Sequence, residues 1–371
     1  MNPFKKFGFL SIYLMILLSN GVFLLTHGQF TWTTVVFAYG LVPLVDALLG
    51  KDKNNVSKED FERLMNDRFF DTVVYSLVYV HLFQLCLAVI AILTYEMTLF
   101  QWIGYVLSLG IFSGTMINVA HELGHRSSKV AQFHAKLTLM TVCYVHFFIE
   151  HNRGHHVWVA TPQDPATARK GQSIYAFWWQ SITGSFLSAL AIEKRLLERN
   201  KAPFWSAKNN MIWAVVLPLV FGGALTALGS LMIGRFAWEV LPFFFGQSTV
   251  AILLLESVNY IEHYGIMRRE IAPGKYERVN PLHSWNANHL FSNLVLFQLQ
   301  RHSDHHAYAS RPYQVLRHFD ESPQLPFGYP LMILMATVPP LWFSVMDKRL
   351  EQWQTNAYDA QHISQIQREF A

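Results

Sequence analysis

Residues 121–125 read HELGH. On a helix this H-E-x-x-H pattern puts two imidazoles at i, i+4 on one face with a carboxylate beside them, the metal pair and general base of a zinc protease. Three further windows carry related chemistry: HNRGHH at 151–156, NYIEHYG at 259–265 and HSDHH at 302–306. Together the four windows hold nine of the 17 histidines, where an even spread would place about one. Crowded imidazoles suit Fe, Zn, Cu or Ni. They make poor core residues, because each ring leaves a nitrogen to satisfy.

The spacings are helical. His121 and His125 are i, i+4, and His151 and His155 repeat that interval, with His156 about 100° away. His302, His305 and His306 are i, i+3, i+4, and His263 stands in the third window. A structural zinc takes four ligands, a catalytic one three and water. Nine rings therefore predict two metals sharing eight or nine imidazoles, and the surplus argues against a protease. Glu122 then reads as an acceptor that orients a ligand ring, as do Glu150, Glu262 and Asp304, each beside a candidate ligand. A solvated loop position is the alternative for each acid. His289, 13 residues before the last window, is the candidate for an extra ligand, and His283 is its neighbour in HSWNANH. His27, His134, His146, His318 and His362 are isolated. His81 lies in an apolar run and reads as a packed neutral ring.

The elements that must position these residues follow from composition. The chain has 371 residues, 52% of them hydrophobic and 15% charged. Soluble domains carry about 25% charged residues. Six runs are long and apolar enough to span a bilayer, at about 7–26, 30–49, 73–93, 98–118, 211–233 and 238–258. Lys and Arg gather at 5–6, 50–72 and 119–210, and the intervening turns carry only Arg235, which predicts cytoplasmic termini. The chain thus reads as an all-α membrane protein and a single unit over 1–371. Six transmembrane helices carry a cytoplasmic helical cap, built from 119–210 and 259–371, that holds the histidines. Residues 132–149 predict a helix that packs on the site or re-enters the membrane partway, and 326–346 an interfacial or packed segment, since four prolines interrupt it. The polar tail 347–371 reads as helical. Cys86 and Cys143 read as buried thiols, with no C-x-x-C pair. The net charge of +4 points to no nucleic-acid partner.

Neutral imidazoles leave the metal charge uncancelled. Such a centre beside a bilayer suits O2 and lipid-soluble substrates, which need an apolar tunnel between spans. Trp32, Tyr39 and Phe112 are candidates to line it. A metal carrier would instead place ligands within its spans, where only His81 is available.

The windows with their neighbours, HELGHR, EHNRGHH, NYIEHYG and LQRHSDHHA, resemble the boxes of the integral-membrane alkane 1-monooxygenases over nearly the whole chain. The resemblance implies a six-helix bacterial inner-membrane enzyme with two Fe on the cytoplasmic side. It would hydroxylate the terminal carbon of medium-chain n-alkanes with O2 and two electrons. Rubredoxin, fed by rubredoxin reductase, would deliver the electrons; two cysteines cannot build its site, so it comes in trans or from a fused domain outside these residues, as in some relatives. Membrane fatty-acid desaturases or hydroxylases and xylene-type methyl monooxygenases are the alternatives. The Asn259-to-His263 spacing is similar to an N-x3-H element of desaturases and supports His263 as the ninth ligand. Arg126, Lys129, Arg153, Arg268, Arg269 and Arg301 flank the windows and could steer an acidic carrier or anchor to lipid headgroups.

Overall fold

The computed structural model describes residues 1–357. His362 and the end of the polar tail lie outside the described residues. In chain order the elements are α1 (Pro3–Leu25), α2 (Thr33–Leu49), α3 (Lys58–Met65), α4 (Arg68–Thr94), α5 (Leu99–Gly124), α6 (Lys129–Met140), α7 (147–158) and α8 (Ile174–Arg199). Then come α9 (Asn210–Ile233), α10 (Val240–His263), the hairpin β1 (Glu270–Ala272) and β2 (Lys275–Tyr276), α11 (Leu290–Val295), α12 (His302–Ala307), α13 (Tyr329–Ala336) and α14 (Pro339–Ala357).

Among the described residues, five helices, α1, α4, α5, α9 and α10, are long and apolar enough to cross a membrane. The expected second span is shorter than its sequence suggested: α2 starts at Thr33, because 30–32 belong to the preceding loop. Its 17 residues rise about 25 Å, near the lower limit for spanning. Segment 326–346 is broken as its prolines predict. The α13 and α14 axes differ by 120° across Thr337 and Val338, just before Pro339.

Caps in the sequence set the helix starts. Thr98 and Gln101 form a reciprocal capping box at α5, and the Asp67 and Asn209 side chains accept backbone N–H groups at α4 and α9. Helix α5 is the axis of the bundle, with 89% of its apolar window buried. Gly110 and Gly114 let it approach α10. A Cβ on Gly110 would lie 2.4 Å from Val250 Cβ, and one on Gly114 2.8 Å from Leu254 Cδ2. The α5 and α10 C-terminal ends therefore arrive together, and both carry windowed histidines.

Helix α8 went unrecognised in the sequence. Ile174, Phe177, Ser181, Ser185, Ala189 and Ile192 are buried at helical spacing, so one face packs on the bundle while Trp179 and Leu187 stay exposed. Its mixture of serines and aromatics hides that stripe from a hydropathy reading. Neither cysteine is a buried thiol. Cys86 lies exposed on α4 and Cys143 is half-buried. On the outer face of a spanning helix a thiol costs nothing, because lipid is apolar too.

Candidate metal centre

His121 sits in the last turn of α5 and His125 at its C-cap. His151, His155 and His156 lie in α7, where 151–155 form a π-helical turn closed by the His156 N–H to the His151 carbonyl. His263 ends α10, and His302, His305 and His306 occupy α12. The nine rings converge as two groups. One holds His121, His125, His151, His156 and His305, and the other His155, His263, His302 and His306; in each, the offered nitrogens all lie within 4.8 Å of one another.

The contacts inside each group run through Nε2. In the five-ring group, His125 meets His121 at 3.3 Å and His151 at 3.0 Å, and His156 meets His151 at 3.0 Å and His305 at 3.1 Å. In the four-ring group, His302 meets His263 at 3.2 Å and His306 at 2.8 Å. His155 Nε2 is buried with no partner. Imidazoles that face one another only through Nε2 cannot all be satisfied by sharing protons. A cation at each centre resolves the conflict. Two nitrogens bound cis to one metal at about 2.1 Å lie about 3.0 Å apart, which matches the spacings. The residues therefore fit two metal ions.

Electrostatics keep most of these rings neutral and their lone pairs available. Burial holds His125 down to about 3 and His151, His156, His302, His305 and His306 well below the ordinary imidazole value. His155 is the exception. Burial lowers it, but Asp164, through its charge and hydrogen bond, outweighs burial and leaves it raised. His155 Nδ1–H donates to Asp164 Oδ2 at 2.9 Å, and Thr167 Oγ1 donates to the same oxygen at 2.6 Å. This carboxylate–imidazole pair turns Nε2 toward the centre.

Asp164 was not legible in the sequence, since it follows His155 by nine residues in a loop with no motif spacing. Three of the four acids expected in that orienting role behave otherwise. Glu122 accepts from Arg126 at 3.2 Å and from the Tyr313 N–H, and Asp304 is gripped by Arg311 and Arg317. Glu150 accepts from Ser188 Oγ at 3.3 Å, and burial, then the Asp164 charge, pushes it up to about 8. Only Glu262 touches a windowed ring: its Oε2 lies 3.1 Å from His302 Nε2, while Oε1 accepts the Tyr329 hydroxyl at 2.7 Å. These acids sit beside a windowed histidine in sequence, but a helix turns neighbours about 100° apart, and arginines reach two of them first: Arg126, four residues on from Glu122, and Arg311 and Arg317, from the loop after α12, at Asp304.

His289 joins neither group. It caps α11, and its residue pairs with Lys51 across an isolated bridge. His81 is packed as expected, with Nε2 2.8 Å from Thr141 Oγ1.

An apolar cavity approaches the centre from between the helices. Tyr39, Ile111, Thr115, Asn118, Val258 and Tyr329 help line it, and none of its lining residues is charged. Asn118 is one turn before His121, and Tyr329 reaches the other group through Glu262. Of the three aromatics proposed for a tunnel, Tyr39 lines this cavity. Phe112 does not: it turns to the opposite side of α5 and packs on His81 at 5.7 Å. Trp32 lines a separate groove with Gln29, Phe30 and Phe100, stacked on Phe100 at 4.9 Å.

Residues 98–335 match the model of the fatty acid desaturase family, and that is the class of protein which the spans and paired histidine groups define. Within it, the chain is 42% identical to the alkane 1-monooxygenase of Pseudomonas putida over 88% of this chain and 79% of that one. It is 40% identical to alkane 1-monooxygenase 2 of Alcanivorax borkumensis over 97% and 94% of the two chains. A xylene/toluene monooxygenase hydroxylase component of Pseudomonas putida is 29% identical over 68% and 66%. The chain belongs to the alkane 1-monooxygenase family, and it is a multi-pass membrane protein.

Proposed function

We propose that this protein hydroxylates the terminal carbon of medium-chain n-alkanes in a bacterial inner membrane, with the histidine groups on the cytoplasmic side. The reaction is RH + O2 + 2e− + 2H+ → ROH + H2O. His121, His125, His151, His156 and His305 would hold one iron, and His155, His263, His302 and His306 the other. Bound there, iron supplies the reduction of O2. The chain's own residues do the rest. Asp164 orients His155, α5 and α10 bring the two groups together, and the cavity presents an alkane from the lipid side while excluding water.

The observation that supports this reading is the uncharged cavity whose wall includes Asn118, one turn before His121, and Tyr329, which bonds the Glu262 carboxylate beside His302. A fatty acid or acyl carrier would need a cation to hold its carboxylate or phosphate, and the lining offers none. The chain has no C-x-x-C and no Gly-rich dinucleotide fingerprint. Residues 1–371 thus offer no site that takes hydride from NADH, and the proposed electron donor is rubredoxin, reduced by rubredoxin reductase. The test is octane turnover by the purified chain in vesicles, with NADH, rubredoxin reductase and rubredoxin. The expected product is 1-octanol at one O2 consumed per alcohol. Desaturated or hydroxylated acyl chains with no octanol would overturn the reading.

A further inference from the structure

The two histidine groups differ in what surrounds them. Four buried carboxylates stand around the four-ring group. Asp164 Oδ2 is 2.9 Å from His155 Nδ1, and Glu262 Oε2 is 3.1 Å from His302 Nε2. Behind them lie Glu150, held by Ser188, and Glu256, which accepts from the Tyr144 hydroxyl at 2.7 Å, from Asn259 at 3.1 Å and from Ser181. Hydroxyls, an amide and imidazoles hold these four acids. Among the described residues, no arginine or lysine hydrogen-bonds to any of them, and Arg268 acts on Asp164 only at longer range.

The five-ring group has the reverse arrangement. Its two nearby acids are already committed to guanidinium groups. Glu122 pairs with Arg126, which also binds Asp71 at 2.6 Å, and Asp304 is shared by Arg311 at 2.7 Å and Arg317 at 2.9 Å. The carboxylates at the group with fewer rings have no guanidinium or ammonium partner and are free to balance a metal cation, while Glu122 and Asp304 are already neutralised by arginines.

We propose that the four-histidine position binds its metal first and more tightly than the five-histidine position, with Asp164 and Glu262 as the residues that set the order. An imidazole offers a lone pair but no charge. In a buried site a nearby carboxylate offsets the cost of taking a divalent cation out of water. The carboxylate bonded to a ligand's far nitrogen also raises that ligand's basicity, and its loss typically weakens metal binding tenfold to a hundredfold. Asp164 is a positioning residue in this sense: it acts through His155. The inference rests on reading the two groups as metal sites, and not on the alkane activity.

The full chain, stripped of metal in detergent, would be titrated anaerobically with Co2+ and followed by visible absorption. Two separated steps are expected. Asp164→Asn should weaken the first step tenfold to a hundredfold and leave the second in place, which also serves as the folding control. His125→Ala should abolish the second step and keep the first. If Asp164→Asn protein holds no metal at all, Glu262→Gln is read instead, with the same expected loss confined to the first step. A single step of equal sites, loss of the first step in His125→Ala, or equal weakening of both steps by either acid variant overturns the proposal. Unequal binding without 1-octanol formation would leave this inference standing and remove the alkane reading. Octanol formation by a protein with two equal sites would do the opposite.

Discussion

His151 and His156 stand five residues apart and bring their Nε2 atoms to 3.0 Å, while His155, four residues from His151, turns to the other group. On a regular α-helix the pairing would be reversed, because i and i+4 share a face. The π turn over 151–155, with its i+5 hydrogen bond, carries His156 over His151 and frees His155. One short segment thereby contributes rings to both histidine groups.

That turn depends on Gly154. A Cβ there would lie 2.4 Å from Glu150 Oε1 and 3.2 Å from Ser188 Oγ. Gly154→Ala should displace the Glu150 carboxylate and distort the turn, at a cost of about 1–3 kcal/mol for overpacking. Metal analysis should find fewer ions per chain, and alkane turnover should fall at least about tenfold, the low end of the loss for a disturbed ligand environment. Full metal content with unchanged turnover would show that the turn tolerates a side chain.

The proposed alkane cavity predicts a chain-length effect of its wall residues. Val258→Trp should fill space between α5 and α10 and shift product formation toward shorter chains in a hexane-to-dodecane series. Phe112→Ala should leave that profile unchanged, because Phe112 packs on His81 outside the cavity. Its cost should appear as lost stability of about 3–5 kcal/mol. A chain-length shift in Phe112→Ala and none in Val258→Trp would place the substrate on the other side of α5.

The metal-free protein should lose stability as pH falls. His125 sits at about 3 against an ordinary 6.5, and burial depresses His151, His156, His302, His305 and His306 in the same direction. Below 6.5 the unfolded chain takes up protons that the folded chain refuses, so each ring removes about 1.4 kcal/mol per pH unit down to its folded value. His155 is raised and pulls the opposite way, as one ring against six. Denaturant midpoints of the apo protein measured from pH 8 to pH 5 should fall steeply below about 6.5. Flat midpoints across that range would mean that the rings are not buried neutral.

Fewer of the basic residues flanking the windows are free than the sequence suggests, with Arg153 and Lys129 exposed. Arg126 is paired with Asp71 and Glu122, Arg269 with Glu277, and Arg301 is buried, its guanidinium spent on the carbonyls of Asp52, Asn54 and Leu316. Arg153 is exposed beside His125 in a polar cleft that also exposes Ser127 and Ser310. Arg153→Glu should raise the apparent KM for rubredoxin several-fold and leave that for alkane unchanged. The difference should shrink in high salt, since the Debye length falls from about 10 Å at 0.1 M to about 3 Å at 1 M. An unchanged rubredoxin KM at low salt would move the docking site elsewhere.

Much of this protein was legible in one dimension. Apolar run length gives five of the six expected spans directly, and the windows name the nine rings that converge, because metal chemistry needs those residue types whatever the fold. Sequence could not divide the rings. The split into five and four depends on a π turn at 151–155, and a register change of one residue leaves no mark on spacing. Nor could it assign the acids. Glu122 and Asp304 stand beside ligands, yet Arg126, Arg311 and Arg317 claim them, and the carboxylate that orients His155 comes from a loop residue, Asp164. Hydrogen-bond partners are chosen by which groups the packed helices bring within 3 Å, and only the tertiary structure decides that.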